Sequence, residues 1–179
     1  MKVFIGGSRR VSRLGEQVRG RLDKIIGTKL PVIIGDANGA DKAVQDYFRQ
    51  CVYGQVEVFC TEGRCRNNAG NWKIRPVPAP DGRKHAFEYY AAKDQLMAEE
   101  GSIGFMLWDG KSRGTLANVL RLIELGKKVV VYLAPAKQFT TLRNMSDWEQ
   151  FNRNAHLGVA QSGAIGDPPR PGPREYSFF

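Results

Sequence analysis

Two patterns of apolar and polar positions alternate along this chain. Short apolar runs next to glycine predict buried strands, and longer stretches with an apolar residue every three or four positions predict amphipathic helices. The first run, residues 3–5, leads into Gly6 and Gly7, which predicts a strand that ends in a tight turn. The next stretch predicts a helix over residues 11–26 that ends at Gly27.

This alternation continues to residue 155. Apolar runs predict further strands at residues 31–34, 55–60, 102–108 and 128–133. Helical spacing predicts further helices at residues 40–51, 85–100, 115–126 and 146–155. Strands separated by single helices pair in parallel through right-handed crossovers. The pattern therefore predicts an α/β fold of the doubly wound type, with a mostly parallel five-stranded sheet and helices on both faces.

Two segments depart from this pattern. Residues 61–85 are rich in Arg, Asn, Gly and Pro and carry six basic and two acidic side chains, which predicts a long basic loop inserted into the domain. Residues 158–179 contain four Gly and four Pro, which predicts a flexible tail. The P-x-x-P segment at residues 168–171 suits docking on a partner or a plain linker. We expect a single domain over residues 1–157, followed by this tail.

Composition narrows the class of protein. Of the 179 residues, 42% are hydrophobic and 25% are charged, which is typical of a soluble globular domain. The sequence has no apolar run of about 18 residues and no secretory signal, so we expect no membrane span and a cytoplasmic location.

Three cysteines are an odd number, and we expect reduced thiols rather than a disulfide framework. A zinc site from Cys60, Cys65 and His85 would lack a fourth ligand, so we predict no metal and no cofactor.

The chain is strongly basic, with a net charge of +9. Eight of the basic side chains lie in residues 1–30, against two acidic ones. This charge indicates an anionic partner, which is a nucleotide, a nucleic acid or an acidic surface. A solvated basic surface without a partner explains the same charge equally well.

The loops after the first, second and fourth predicted strands are the candidate binding loops, because ligands of doubly wound sheets bind beyond the carboxyl ends of the strands. Glycines let the backbone approach a ligand closely, serine and arginine donate hydrogen bonds to phosphate, and Asp accepts them from ribose or a base. The candidates in the first two loops are Gly6, Gly7, Ser8, Arg9, Gly35, Asp36, Asn38, Gly39 and Asp41. Asp41 begins a helix, where a carboxylate serves equally well as a cap.

The third loop combines glycines, hydroxyls and cations at a helix start, as a phosphate cradle does. Its candidates are Gly110, Lys111, Ser112, Arg113, Gly114 and Thr115. Gly110-Lys111-Ser112 is similar to the end of a P-loop, but the preceding Gly104 lies one residue too far away, which excludes a P-loop NTPase. No G-x-G-x-x-G follows a strand, and neither His85 nor His156 fits a nucleophilic triad.

Four segments in order resemble a known family. Residues 3–9 are a hydrophobic strand followed by G-S-R, and residues 32–41 match a G-x-A-x-G-A-D segment. Residues 93–97 are placed like an R-N-x-x-M helix, and residues 108–115 are similar to a G-x-S-x-G-T loop. Together they resemble the SLOG superfamily of Lonely Guy, DprA and YpsA-like proteins, and are closest to its YspA-like branch. The resemblance covers residues 1–133 and implies a Rossmann-like fold.

This resemblance implies a pocket for a nucleotide or a nucleotide-derived ligand. Phosphate would bind at residues 6–9 and 110–115. The base or sugar would lie near residues 36–41 and the helix that carries Lys93 and Asp94.

The resemblance also bears on catalysis. In the Lonely Guy branch, the motif P-G-G-x-G-T-x-x-E carries a catalytic glutamate for cleavage of the N-glycosidic bond of nucleoside monophosphates. Asn118 stands at that position here. An amide cannot act as the ionised carboxylate, so Asp41 and Asp94 are the candidate substitutes.

Three functions follow from these observations. The first is a sensor-type protein that binds a nucleotide-like small molecule. The second is a nucleoside-monophosphate N-glycosidase, and the third is a DprA-like module that binds nucleic acid. Many members of such families are homo-oligomers. We expect Arg113→Ala and Gly7→Val to weaken ligand binding while the fold stays intact.

Overall fold

The computed structural model describes residues 1–78 and 87–161, with side chains for residues 1–78 and 92–155. This part of the chain forms seven strands and five α-helices. The strands are β1 Val3–Gly7, β2 Val32–Ile34, β3 Val56–Thr61, β4 Lys73–Val77, β5 Ile103–Trp108, β6 Val129–Leu133 and β7 Gln138–Leu142. The helices are α1 Glu16–Gly27, α2 Ala40–Gln50, α3 Phe87–Glu100, α4 Arg113–Glu124 and α5 Met145–Gln161.

All strands join one sheet in the order β4-β3-β2-β1-β5-β6-β7. Neighbouring strands are parallel except β7, which pairs antiparallel with β6. The predicted α/β class with a mostly parallel sheet is confirmed, but the predicted count of five strands is wrong. The strand order reverses between β1 and β5, and their carboxyl ends therefore form the edge where a ligand is expected.

Successive side chains of the strands pack into two separate cores, one on each face of the sheet. Val3, Ile5 and Phe105 are buried together with the apolar faces of α1 and α2. Phe4 and Met106 point to the other face, where they are buried with residues of α3 and α4 and packed against α5. Each central strand is thus apolar on both sides, as a strand covered by helices on both faces must be.

The two edge strands account for the error in the strand count. β4 lies inside the segment that was predicted to be a loop, and four of its five residues are exposed. Lys73 and Arg75 form surface ion pairs with Glu57 at 2.9 Å and Glu100 at 3.1 Å. β7 alternates exposed and half-buried residues and follows β6 through a short turn. Edge strands are polar because only part of their surface is covered, so they lack the apolar run of a central strand.

Helix α1 begins at Glu16, five residues after the predicted start at residue 11. Val11 and Leu14 are buried in the irregular segment before it, and the Val11 N–H donates to the Ser8 carbonyl at 3.0 Å. Their spacing reflects contact with the core rather than helical structure. α5 includes residues 158–161, which were predicted as tail, and residues 162–179 lie outside the described residues.

The cysteines differ from the expectation of three reduced thiols. Cys60 and Cys65 form a disulfide across the turn that follows β3, and Cys51 is exposed and unbonded. His85 lies outside the described residues. Within the described ranges no group of three or more His, Cys, Asp and Glu side chains is placed to hold a metal. No helix of these ranges is long and apolar enough to cross a membrane.

Reduction of the disulfide is expected to lower the free energy of unfolding by about 2 kcal/mol, because the cross-link restricts the unfolded chain over a short loop. Urea denaturation with and without dithiothreitol measures this difference. Cys51→Ser is the matched control and should retain the full effect of the reductant. A Cys60→Ser/Cys65→Ser variant should show none, and equal stability of the oxidised and reduced wild type would contradict the cross-link.

Candidate functional site

A cleft of about 590 Å³ opens at the carboxyl edge of the sheet, beside the point where the strand order reverses. Its volume falls in the range of small-molecule sites. Most of the residues predicted from the sequence line it: Gly6, Gly7, Arg9, Gly35, Asp41, Lys93, Asp94, Lys111, Ser112, Gly114, Thr115 and Asn118. The other predicted residues do not line it: Ser8, Asp36, Asn38, Gly39, Gly110 and Arg113.

The glycines of the β1–α1 loop make room for the protein itself. A Cβ at Gly7 would overlap the Leu107 carbonyl oxygen and lie 2.8 Å from the Ala40 Cβ. The Ser8 N–H donates to the same Leu107 carbonyl at 2.8 Å, so the pairing of β1 with β5 continues beyond the strand. The expectation that Gly7→Val spares the fold is therefore wrong, because the valine would push β1 away from β5.

Gly39 brings the second loop against the first. Its φ of +85° lies in the left-handed region that favours glycine, and a Cβ there would overlap the backbone of Arg9. The Ala40 N–H donates to the Ser8 carbonyl at 3.2 Å. Gly39 thus closes the wall between two loops instead of facing a ligand.

Ser8 and the third loop form a hydrogen-bonded turn around Asp109. One carboxylate oxygen of Asp109, Oδ1, accepts from the Ser8 hydroxyl at 3.0 Å and from the N–H groups of Lys111 at 3.0 Å and Ser112 at 2.8 Å. Ser8 also shares a hydrogen bond of 3.1 Å with the Thr115 hydroxyl. Several groups predicted to hold a phosphate therefore hold the loop itself. Burial by itself would raise the pKa of Asp109, but the hydrogen bonds lower it below its ordinary value.

The carboxylate of Asp36, which follows β2, is buried in an ion pair. Lys93 Nζ donates to Asp36 Oδ1 at 2.6 Å, and both side chains are almost fully buried. Arg66 donates to Asp36 through its backbone N–H at 3.0 Å and through its guanidinium at 2.7 and 3.2 Å. Burial alone would raise the pKa of Asp36, but these cations hold it well below the ordinary range. Asp36 is thus bound by the protein rather than presented to a ligand.

Asp41 lies beside this ion pair and lines the cleft. The Ala37 N–H donates to Asp41 Oδ2 at 3.1 Å, and a Cβ at Gly35 would overlap that oxygen and lie 3.2 Å from Lys93 Nζ. Gly35 therefore leaves the space that both charged groups occupy. Burial raises the pKa of Asp41 to about 7, and the nearby charge of Lys93 opposes the shift. Near neutral pH this carboxyl group is present in both protonation states.

Asp94, which is half-buried, is the second carboxyl group that lines the cleft. Asn118 donates to Asp94 Oδ2 at 3.0 Å through its side-chain amide, and Arg121 donates to the amide oxygen of Asn118 at 2.7 Å. Burial raises the pKa of Asp94, whereas Lys93 and the hydrogen bond from Asn118 oppose this shift. Asn118, which replaces the family's glutamate, thus orients a carboxyl group from the neighbouring helix.

Six residues of the cleft were missed by the sequence reasoning: Phe4, Arg10, Ala37, Arg66, Met97 and Asp109. Asp109 is predictable from the sequence, because this residue directly follows a predicted strand at the binding edge. Arg66 belongs to the basic segment 61–85, but its position in the cleft depends on Asp36, thirty residues earlier, which composition does not reveal. Arg113 is exposed and outside the cleft, so Arg113→Ala does not test this site.

The arrangement separates charge along the cleft. Arg9, Arg10 and Lys111 are exposed at its mouth, near the start of α4. Asp41 is buried and Asp94 is half-buried, and both lie beside the buried Lys93, which is paired with Asp36. This combination suits a ligand that is anionic at one end and carries hydrogen-bond donors at the other.

Comparison with known proteins does not assign the chain to a family. No protein-family model matches the chain, and no curated protein or solved structure matches it.

Asp36→Asn is expected to lower the free energy of unfolding by about 3–5 kcal/mol at pH 7, because it leaves the Lys93 ammonium buried without its carboxylate. Since the pKa of Asp36 is lowered in the folded state, its contribution is present above the ordinary Asp pKa of about 4 and is lost as the pH falls further. Denaturation curves at several pH values measure this loss.

The control for this prediction is Asp46→Asn, which breaks the surface ion pairs of Asp46 with Lys42 and Arg49. It should cost less than about 1 kcal/mol. If both variants lowered the free energy of unfolding by the same small amount, the buried ion pair would contribute no more to stability than a surface pair.

Proposed function

We propose that this chain binds a nucleotide or a nucleotide-derived ligand in the cleft and acts as a sensor-type protein. One observation carries the proposal: exposed cationic side chains and a helix start line the same cleft as the buried Asp41 and the half-buried Asp94. The resemblance of the binding loops to the YspA-like branch of the SLOG superfamily supports the same ligand class.

The phosphate is proposed to bind at the start of α4. The first N–H groups of a helix have no partner within the helix, and the helix dipole favours an anion there. The first turn of α4 contains no acidic side chain. The N–H groups of Lys111 and Ser112 already donate to Asp109, and the Thr115 N–H donates to the Ser112 hydroxyl at 3.4 Å. Binding would therefore rely on the N–H groups of Arg113 and Gly114 and on the side chains of Arg9, Arg10 and Lys111.

The nucleoside part is proposed to lie deeper in the cleft. Asp41 and Asp94 offer carboxyl oxygens to ribose hydroxyls or to the amino groups of a base. Phe4 and Met97 supply buried apolar surface against which a base or a sugar packs. A ligand held in this way satisfies both ends of the cleft.

AMP is expected to bind more tightly than adenosine by at least about tenfold, since adenosine lacks the phosphate. Lys111→Ala should weaken AMP binding by about the same factor and leave adenosine unaffected. Isothermal titration calorimetry and thermal shift measure these differences, with the other nucleoside monophosphates tested in parallel.

The matched control is Lys29→Ala, which removes an exposed lysine just after α1, away from the cleft. It should bind AMP like the wild type. Equal affinity for AMP and adenosine, or no binding of any monophosphate, would contradict the proposed function.

The second candidate is hydrolysis of the N-glycosidic bond of a nucleoside monophosphate. It is favoured by the raised pKa of Asp41, because a carboxyl group that is partly protonated near pH 7 is able to donate a proton to the departing base. In this reaction the bond between C1′ and the base breaks, the base leaves with that proton, and water adds its hydroxyl to C1′ while its other proton returns to Asp41. The products are the free base and ribose 5-phosphate.

If this candidate is correct, product formation is expected to fall as the pH rises above about 7 and Asp41 loses its proton. Asp41→Asn and Asp94→Asn should both abolish release of the base. Chromatography of the ligand after incubation separates the two functions, because a sensor returns the nucleotide intact.

A further inference from the structure

A second cavity adjoins the cleft at its mouth. It measures about 280 Å³ and is lined by Arg10, Val11, Ser12, Arg13, Asp109, Ala134 and Pro135. Arg10 and Asp109 line both cavities, so the two form one continuous surface along the carboxyl edge of the sheet.

Backbone hydrogen bonds fix both walls of this second cavity. The Val11 N–H donates to the Ser8 carbonyl at 3.0 Å, which holds the segment that carries Arg10 and Arg13. On the opposite side, the Ala134 N–H donates to the Trp108 carbonyl at 2.8 Å, which holds the turn after β6 beside Asp109. The cavity is therefore a shaped part of the fold.

Two arginines give the second cavity a net positive charge. Arg10 and Arg13 are exposed, and neither side chain forms an ion pair or a hydrogen bond with a described residue. Asp109, whose pKa is lowered, sets one negative charge against these two cations, so the lining of the cavity remains positive on balance. Guanidinium groups bind phosphate oxygens through two parallel hydrogen bonds, and Ala134 and Pro135 add apolar surface beside them.

From this continuity and charge we infer that the cleft takes a ligand longer than a mononucleotide, with a second phosphate bound by Arg10 and Arg13. This inference rests on the proposed function, which places the first phosphate at the start of α4. The ligand class is a nucleotide extended through a pyrophosphate bridge, and the group beyond the bridge lies against Ala134 and Pro135. Arg10, which borders both cavities, contacts the bridge itself.

The test compares AMP with ADP-ribose by isothermal titration calorimetry at about 0.15 M salt, where long-range attraction between exposed charges is screened. Wild-type protein is expected to bind ADP-ribose at least about tenfold more tightly than AMP. Arg13→Ala should remove most of that advantage and leave the affinity for AMP unchanged, because Arg13 does not line the main cleft.

Arg19→Ala is the matched control, since it removes the same charge from an exposed position of α1 outside both cavities. It should bind both compounds like the wild type. AMP binding without any gain for ADP-ribose, or an equal effect of Arg13→Ala and Arg19→Ala, would overturn the second subsite and leave the proposed function standing. Failure of both compounds to bind would overturn the proposed function and this inference together.

Discussion

The buried carboxylate of Asp36 is the charge around which the cleft is assembled. It follows β2, and it accepts hydrogen bonds from Lys93 on α3 and from Arg66 between β3 and β4. An isolated carboxylate or ammonium is costly to bury, so each of these groups is stable there only while its partners are in place. Three segments that are distant in sequence are thereby held at one end of the sheet.

This ion pair also sets the state of the acids that line the cleft. Asp94 is the sequence neighbour of Lys93, and Asp41 lies against the same ammonium across Gly35. Burial raises the pKa of both carboxyl groups, while the positive charge of Lys93 limits the shift. Asp41, with a pKa of about 7, is therefore partly protonated near neutral pH, and both carboxyl groups line the cleft that the two proposed functions use.

The wall on the other side of the cleft is built from polar groups that bind one another. Ser8 is hydrogen-bonded to both Asp109 and Thr115, which fixes the loops after β1 and β5 before any ligand arrives. A preorganised wall reduces the cost of ordering the site on binding. It also leaves the exposed cations Arg10 and Lys111 at the mouth as the groups able to turn toward a ligand.

The sequence by itself determined the central strands, the helices that cover them and the edge of the sheet at which the cleft lies. Those features follow from the local spacing of apolar residues and from the fixed handedness of parallel crossovers. Residues that are neighbours in the sequence are therefore enough to predict them. Tertiary structure alone decided the edge strands β4 and β7, the late start of α1 and the disulfide between Cys60 and Cys65.

Tertiary structure also decided which residues of the predicted loops line the cleft and which bind other parts of the protein. Spacing marked Ser8, Asp36 and Asp41 alike as candidates, but only Asp41 lines the cleft. A polar side chain binds either the protein or a ligand according to which partners the fold brings within hydrogen-bonding distance. For Asp36 the deciding partner, Arg66, lies in the basic segment 61–85, whose composition does not tell which arginine pairs with which carboxylate.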